Sequence, residues 1–196
     1  MNYPDQPKIL LTYDVILADP PWYFRNYSAN DPHTVHNRGR GQQRHYPTMT
    51  EDEICALKIP AAKDSVLFLW SCWPILPQSL RVIEAWGFEY KSLAWVWIKA
   101  NRSGMGFFHG MGYYTRANSE PCLLATRGDL PKPANRGIQA LIYHPVMEHS
   151  RKPDDQYRKI EALYPNMRYL ELFARRKRIG WDVWGNEVES DIQILT

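Results

Sequence analysis

The sequence predicts an α/β fold in which helices cover both faces of a sheet. Short apolar runs typical of buried strands alternate along the chain with segments of helical spacing. Two long loops, rich in glycine and polar residues, each follow a predicted strand. Ligands of such sheets bind at the carboxyl ends of strands. The chain has 196 residues, of which 44% are hydrophobic and 13% aromatic, so residues 1–196 are expected to form a single domain with a substantial core.

The predicted elements follow one another along the chain. The apolar run 14–18 is a buried strand that stops at Asp19, before two prolines. Thr50 and Glu53 form a capping box that opens a short helix reaching about residue 57. Further strands are predicted at 65–70, 92–98, 121–126, 168–173 and 181–184, further helices at 78–86 (before Gly87) and 154–163, and long loops at 23–45 and 103–115.

Composition excludes several classes of protein. Charged residues make up 23% of the chain, an ordinary share that excludes disorder throughout. No apolar run approaches the roughly 20 residues of a membrane helix, and residues 1–11 lack the basic-then-apolar order of a signal peptide. Cys55, Cys72 and Cys122 are far apart and odd in number. We therefore expect no disulfide framework, no zinc pair and a reducing, cytoplasmic compartment.

The distribution of charge is more informative than the net charge of +3. Residues 25–45 contain four arginines, three histidines and one acid, and residues 90–119 contain four basic residues, no acid and several aromatic residues. Phosphates pair with basic side chains and bases stack on aromatic faces, so this mixture suits unpaired nucleic acid. A buried aromatic strand followed by a solvated loop would give the same pattern. His33 and His36 have no further metal ligand near them in sequence, and we expect no metal.

The most informative motif is Asp19-Pro20-Pro21-Trp22, directly after the first predicted strand. The Asp19 carboxylate is an acceptor, and the prolines hold a rigid turn whose carbonyls are expected to point outward with no donor beside them. Trp22 is expected to offer its face to a flat ring. Such a pocket fits a base with an exocyclic amine, adenine or cytosine, once that base is flipped out or unpaired. The structural alternative is an Asp cap before a proline turn.

The chemistry of a base amine explains why two acceptors are needed. The lone pair of this nitrogen is delocalised into the ring, which makes it a poor nucleophile. Two acceptors that hold its hydrogens favour a tetrahedral nitrogen with a free lone pair, and they accelerate the reaction if their hold tightens in the transition state. The motif therefore predicts a catalytic site that modifies a base amine.

From about residue 13 to residue 187 the sequence resembles the MT-A70 adenine-N6 methyltransferases. The resemblance implies a Rossmann-like class I methyltransferase sheet of permuted order, with the catalytic strand first and the cofactor-binding strands last. It also implies S-adenosylmethionine as the methyl donor, with S-adenosylhomocysteine as the product. The segments that carry it are ADPPW at 18–22, YPTMT at 46–50, EDEI at 51–54, LFLW at 67–70, WGF at 86–88, WIK at 97–99, SRKPD at 150–154, ELFAR at 171–175 and GNE at 185–187.

The resemblance also assigns expected roles to individual residues. Most of the cofactor contacts are expected in the second half of the chain, and Asp19 is expected to touch the cofactor's ammonium as well as the base. The other cofactor residues are Ser150 and Lys152 at its carboxylate, Phe173 at its adenosine, and Arg175, Asn186 and Glu187 at its ribose. Independently of the resemblance, the length, glycines and scarcity of acids of loop 23–45 make Arg38, Arg40 and Arg44 expected phosphate contacts. Tyr46 and Asn118 are further expected substrate residues. The run Arg176, Lys177 and Arg178 is expected to be solvated or to face phosphate.

Departures from the family pattern bear on the substrate. Ala174 stands where glycine is common, and its methyl group is expected to narrow the approach to the cofactor. Lys177-Arg178 replace the His-Asn of eukaryotic members, and the stretch between Trp22 and Tyr46 is longer than in those members. The compact chain looks like bacterial or phage members, which favours DNA over RNA. The alternatives are an RNA adenine methyltransferase, methylation of a cytosine amine and a non-catalytic nucleic-acid-binding subunit. The expected protein partner is a second copy of the chain or a related subunit.

Overall fold

A computed structural model describes residues 11–23, 47–110, 112, 114–129, 132–148 and 151–195. These residues form a mixed α/β fold around a seven-stranded sheet. The strands are β1 Tyr13–Ala18, β2 Ala61–Trp70, β3 Glu89–Ala100, β4 Ser119–Arg127, β5 Leu141–Pro145, β6 Tyr169–Leu172 and β7 Trp181–Trp184. The helices of the described part are α1 Glu51–Ala56, α2 Leu76–Ala85 and α3 Asp155–Leu163, with a 3₁₀ turn at Trp73–Ile75.

The sheet has the order β5-β3-β4-β2-β1-β6-β7. Strand β4 runs antiparallel to both neighbours, and every other pair of adjacent strands is parallel. The first strand of the chain therefore lies inside the sheet, between β2 and the late strand β6. Ala18 pairs with Leu69 on one side and Leu172 on the other, so these three strands end at one edge. This arrangement confirms the predicted α/β class and the permuted Rossmann-like order.

Helices cover both faces of the sheet, as predicted. Alternate residues of β1 and β2 point to opposite faces, and this alternation divides the apolar core into two layers. One layer joins Val15, Leu17, Val66 and Phe68 to Tyr157 and Ile160 of α3. The other joins Ile16, Ala18, Leu67 and Leu69 to Ile54 of α1 and to Val82 and Ile83 of α2.

Several predicted elements are confirmed, although their first and last residues differ from those predicted. The capping box is present, since Thr50 and Glu53 hydrogen-bond reciprocally at the start of α1. Helix α2 begins two residues before the predicted 78, with a proline in its first turn. Gly87 lies just beyond its end with a φ of +77°, the left-handed conformation that favours glycine at this position.

Strand β5 was not predicted from the sequence. Its five residues include a proline and lack a clear apolar alternation, and it is recognised only through its parallel pairing with β3. It lies at the end of the sheet, where the absence of a proline N–H is tolerated. In the part of the chain that the structure describes, no helix has the length and apolarity needed to cross a membrane.

Candidate active site

Asp19 follows the last residue of β1, inside the sheet, and its carboxylate is held by Lys152. The Lys152 ammonium donates to Oδ1 at 2.7 Å and to Oδ2 at 2.8 Å. Only 10% of the Lys152 side chain and 28% of the Asp19 side chain are exposed. A charge-assisted pair with two short bonds in this setting fixes both side chains. The sheet thus brings together two residues that are 133 positions apart in sequence.

The ion pair belongs to a larger charged network. Glu120, near the start of β4, lies with Oε2 3.4 Å from Lys152 Nζ, and its other oxygen accepts a hydrogen bond from Lys99 of β3. The Lys152 ammonium also lies over the Trp70 indole, 5.4 Å from the ring centroid. Two carboxylates and two ammonium groups therefore alternate in the order Asp19, Lys152, Glu120, Lys99. We call these four residues the charge chain.

The two carboxyl groups of the charge chain have pKa values shifted in opposite directions. Burial raises the pKa of Asp19, and the favourable contact with Lys152 only partly offsets this effect. Burial also acts to raise the pKa of Glu120, but the ammonium groups of Lys152 and Lys99 outweigh it and hold that pKa below its usual value. The charged form is therefore favoured at Glu120, whereas burial makes the Asp19 carboxyl group easier to protonate.

Backbone hydrogen bonds shape the turn after Asp19. The Trp22 N–H donates to the Pro20 carbonyl at 2.8 Å, and the Met49 N–H donates to the Pro21 carbonyl at 2.8 Å. The prediction that both prolyl carbonyls lack a neighbouring donor is therefore wrong, because the segment before α1 pairs with this turn. Each carbonyl oxygen keeps a second lone pair that can accept from a ligand.

The indole of Trp22 is part of the core. Only 8% of this residue is exposed, and its Nε1 donates to the Trp70 carbonyl at 3.0 Å. The ring lies in the apolar layer that contains Ile54 and Leu69. The expectation that Trp22 offers an open face to a base is corrected here. An indole with its N–H satisfied internally stabilises the turn by packing.

A cavity of about 270 Å³ opens beside Asp19 at the carboxyl ends of β1 and β6. Five of the residues predicted to bind cofactor line it, namely Asp19, Lys152, Phe173, Arg175 and Glu187. Lining residues that the sequence did not assign to the cofactor are Leu17, Trp70, Glu148, Arg151, Gln156, Tyr157, Glu171 and Arg176. The structure therefore gathers most of the predicted cofactor residues around one cavity, together with a second, half-buried carboxyl group.

The second carboxyl group is Glu171, in the middle of β6. Tyr157 donates its hydroxyl hydrogen to the two carboxylate oxygens at 3.1 and 3.0 Å. Burial raises the pKa of Glu171 to about 7, against the lowering effect of the Tyr157 hydrogen bond. Glu171 lies inside the ELFAR segment, but the alternating pattern of residues in a strand does not show that its carboxyl group faces a cavity.

The turns after β6 and β7 pack backbone against backbone. Phe173 has a φ of +61°, which ends β6 sharply, and its ring meets Trp184 edge to face at 5.3 Å. A Cβ placed on Gly185 would lie 2.1 Å from the Ala174 carbonyl oxygen, so only glycine fits there. Ala174 itself is 1% exposed and does not line the cavity. The expectation that its methyl group narrows the approach to the cofactor is therefore corrected.

Comparison with known proteins gives the same family as the motifs. The MT-A70 family profile matches residues 13–187. The chain is 34% identical over 197 residues to the Type II methyltransferase M.MunI of a Mycoplasma species, a match that covers 94% of this chain and 82% of that protein. The chain belongs to the MT-A70 family. It is also 31% identical over 186 residues to the human N(6)-adenosine-methyltransferase catalytic subunit METTL3, and 32% identical over 185 residues to an MT-A70-like N(6)-adenosine-methyltransferase of Arabidopsis thaliana.

Coverage differs between these MT-A70 relatives. Each of the two N(6)-adenosine-methyltransferase matches spans 92% of this chain, but only 29% of the human protein and 24% of the Arabidopsis protein. The chain thus corresponds to most of M.MunI and to about a quarter of the eukaryotic relatives. The family assignment supports methyltransferase activity.

Other predicted residues of this MT-A70 chain lie outside the cavity or outside the described part. Asn186 is exposed in the turn after β7, next to Glu187, and Arg175 pairs with Glu187 at 3.1 Å. Asn118 lies just before β4, where its carbonyl accepts from the Lys99 N–H at 2.8 Å. The predicted residues outside the described part are Arg38, Arg40, Arg44, Tyr46 and Ser150, together with His33 and His36.

The basic run after β6 is paired with carboxylates. Arg176 pairs with Asp154, and Lys177 pairs with Asp191. Arg178 donates to Glu161 at 2.7 Å. Arg176 and Lys177 are exposed and Arg178 is half-buried, so the run is largely solvated, as expected, and each of its cations also pairs with an acid.

Proposed function

We propose that this chain transfers a methyl group from S-adenosylmethionine to the N6 amine of adenine in nucleic acid, DNA rather than RNA. The observation that carries the proposal is the position of Asp19. Its carboxylate ends a buried central strand, beside two prolyl carbonyls and a cavity that the predicted cofactor residues line. In this proposal residues 1–196 act as one methyltransferase domain, with substrate loops at 23–45 and 103–115.

The donor set of the cavity fits the proposed cofactor. Asp19 and Glu171 are acceptors for its ammonium group. Arg151 also lines the cavity, with its guanidinium 3.6 Å from the Asp154 carboxylate and its buried Nε without a hydrogen-bond partner among the described residues. A guanidinium has five N–H donors, and we assign those not used by Asp154 to the cofactor carboxylate. Phe173 offers an aromatic edge or face to the adenosine, and Glu187 offers acceptors to the ribose hydroxyls. S-Adenosylmethionine, when bound, supplies a methyl group activated by its attachment to a sulfonium.

Asp19 and the prolyl carbonyls act on the acceptor amine. Lys152 occupies one lone pair on each Asp19 oxygen, and a second lone pair on each remains for the hydrogens of the base amine. A Pro20 carbonyl lone pair supplies the second acceptor. The nitrogen that gains a methyl group must release a proton, and we place that proton on an Asp19 carboxylate oxygen. The raised pKa of Asp19 suits it to this role.

Lys152 has two effects on this step. Its ammonium orients the Asp19 carboxylate, and by favouring the charged form it limits the rise of the Asp19 pKa that burial causes. Glu120, which accepts a hydrogen bond from Lys99, in turn holds the Lys152 ammonium in place. The role predicted for Lys152 at the cofactor carboxylate is compatible with its place in the cavity lining, but in this structure its short contacts are to Asp19.

The preference for DNA is supported by the share of each relative's length that this chain covers. The chain spans 82% of the Type II methyltransferase M.MunI. It spans 24% and 29% of two proteins whose names specify adenosine, a ribonucleoside. RNA is the second candidate, because these two relatives are 32% and 31% identical to the chain. In either polymer the adenine must be unpaired or flipped out to reach Asp19.

The test is product identification with both polymers. The purified chain is incubated with S-adenosylmethionine and either DNA or RNA of mixed sequence, and the polymers are digested to nucleosides for mass spectrometry. The proposal predicts N6-methyl-2′-deoxyadenosine, and its absence with Asp19→Asn serves as the control. N6-methyladenosine from RNA alone would overturn the DNA assignment, and N4-methylcytosine would overturn the choice of base. A folded chain that binds nucleic acid but yields no methylated base would instead fit the non-catalytic subunit.

A further inference from the structure

We propose that the indole of Trp73, and not that of Trp22, is the stacking platform for an unpaired base of the nucleic-acid substrate. The inference rests on the proposed function. Trp73 begins the 3₁₀ turn directly after β2, and it is 47% exposed, whereas Trp22 is 8% exposed. Stacking on aromatic side chains is a general way of holding unpaired bases, and it tolerates any sequence because every base has a flat face.

The position of Trp73 places it at the same edge of the sheet as Asp19. Strands β1 and β2 are parallel, with Ala18 opposite Leu69, so Asp19 and Trp73 both follow the carboxyl ends of adjacent strands. The link between them is Trp70, the last residue of β2, whose ring contacts the Lys152 ammonium. Trp73 therefore lies three residues beyond a ring that contacts the charge chain.

The Trp73 side chain is fixed although it is exposed. Its Nε1 donates to the Ser119 hydroxyl at 3.0 Å, and Pro74 restricts the backbone on its other side. Ser119 begins β4 and is adjacent to Glu120 of the charge chain. The polar edge of the indole is thus satisfied inside the protein, and a flat apolar face remains for a ligand. A platform held in place before binding loses little conformational entropy when a base stacks on it.

The segment that leads into Ser119 has a composition suited to nucleic acid. This segment, 101–118, connects the edge end of β3 to Ser119 and contains Arg102 and Arg116 and no acidic residue. Tyr23, 44% exposed after the turn that follows β1, is a second aromatic side chain at this edge. Cations for phosphates beside aromatic rings for bases are the two components of a site for unpaired nucleic acid. The buried Trp22 ring lacks the exposed face that stacking needs.

The experiment compares Trp73→Ala, Trp73→Leu and Trp73→Phe with a matched control, Tyr90→Ala. Tyr90 is 44% exposed, close to the exposure of Trp73, but it lies near the start of β3, at the opposite edge of the sheet. Binding of a fluorescein-labelled single-stranded 20-nucleotide DNA is measured by anisotropy, and binding of S-adenosylmethionine by calorimetry. Trp73→Ala is expected to raise the Kd for DNA on the order of 10- to 100-fold, with the Kd for S-adenosylmethionine unchanged.

The conservative variants separate stacking from folding. Trp73→Phe keeps a ring and is expected to bind DNA within a few-fold of wild type, whereas Trp73→Leu, which is apolar without a ring, should resemble Trp73→Ala. If Trp73→Ala lowers the melting temperature, the comparison of the Kd for DNA between Trp73→Phe and Trp73→Leu decides the test. A Kd for DNA within twofold of wild type in both Trp73→Ala and Trp73→Leu would overturn the proposal that Trp73 is the stacking platform. An equal loss of DNA affinity in the Tyr90→Ala control would also overturn it. The assay measures equilibrium binding, so a chain that binds DNA through Trp73 without methylating it would refute only the proposed function.

Discussion

Lys152 Nζ lies 2.7 and 2.8 Å from the two carboxylate oxygens of Asp19, and the same nitrogen lies 3.4 Å from Glu120. One ammonium group thus contacts two carboxylates, of which Asp19 has a pKa raised by burial and Glu120 a pKa held below its usual value by the nearby ammonium groups. The consequence is that Lys152 controls the charge of Asp19 as well as its position. Five predictions test this relationship and the packing that supports it.

Asp19→Asn is expected to lower kcat for methyl transfer by a factor on the order of 10²–10³ or more, because the amide carries no charge and can present a donor to the base amine. Asp14→Asn is the matched control. Asp14 lies at the other end of the same strand, in an ion pair with Arg168. The measurement is the initial rate of labelled methyl incorporation, with melting curves to show that both variants fold. A rate for Asp19→Asn within threefold of wild type would remove Asp19 from the mechanism.

Lys152→Met is expected to shift the acid limb of the pH–rate profile to higher pH. The Lys152 ammonium lowers the pKa of Asp19 against burial, so its removal raises that pKa further. Asp19 then becomes protonated, and activity is lost, at a pH where wild type is still active. The readout is kcat/KM between pH 5.5 and 9, with exposed Lys58→Met as control. An acid limb at the wild-type position would contradict the proposed control of Asp19.

Glu171→Gln is expected to reduce the pH dependence of stability between about pH 4.5 and pH 7. The folded-state pKa of Glu171, about 7, lies above its unfolded value. The stabilisation associated with this group is therefore complete at low pH and is lost as the pH rises towards 7, up to about 3 kcal/mol. Glutamine stays neutral and can still accept from Tyr157. Urea unfolding at pH 5, 6, 7 and 8 should show that the free energy of unfolding declines less with rising pH in the variant than in wild type. An equal decline in the two proteins would refute this prediction.

Trp22→Ala is expected to destabilise the fold by about 3–5 kcal/mol, as for other buried aromatic side chains. The indole is 8% exposed and donates to the Trp70 carbonyl. Trp22→Phe should lower the free energy of unfolding by less, because phenylalanine retains a ring. Some loss is still expected, because the Trp70 carbonyl no longer accepts a hydrogen bond from the indole. Chemical unfolding gives the free energies, and Trp73→Ala, at an exposed indole, supplies the comparison. A stable Trp22→Ala variant with weakened DNA binding would restore the stacking role to Trp22.

Gly185→Ala is expected to destabilise the protein by about 1–3 kcal/mol and to weaken binding of S-adenosylmethionine. The added Cβ would lie 2.1 Å from the Ala174 carbonyl oxygen and 2.7 Å from the Ala174 nitrogen, and backbone atoms cannot move aside without shifting both turns. Gly137→Ala is the control, because its Cβ would approach only the Asn135 side chain, at 3.3 Å. Thermal unfolding and calorimetry measure the two effects. Equal stability of the two variants would show that the turns adjust freely.

Much of the fold could be predicted from local pattern. The apolar run before Asp19, the capping box of α1 and the strand at 181–184 are signals that a few neighbouring residues carry by themselves. Strand β5 carries no such signal, because its identity depends on pairing with β3, more than 40 residues earlier in the chain. Aromatic residues were the least predictable. Trp22 and Trp73 both follow strands, and the sequence does not distinguish a buried indole from an exposed one.

The sequence by itself determined the family resemblance, the α/β class and the placement of Asp19 at the end of a buried strand, because these depend on residue order and on the period of apolar residues. The tertiary structure alone decided that Asp19 and Glu120 converge on Lys152 and that Glu171 lines the cavity beside Asp19. It also decided that Trp22 is buried while Trp73 is exposed. The physical reason is that an ion pair, a shifted pKa and the exposure of a ring all depend on groups brought close by strand pairing, and strand pairing joins residues far apart in the chain.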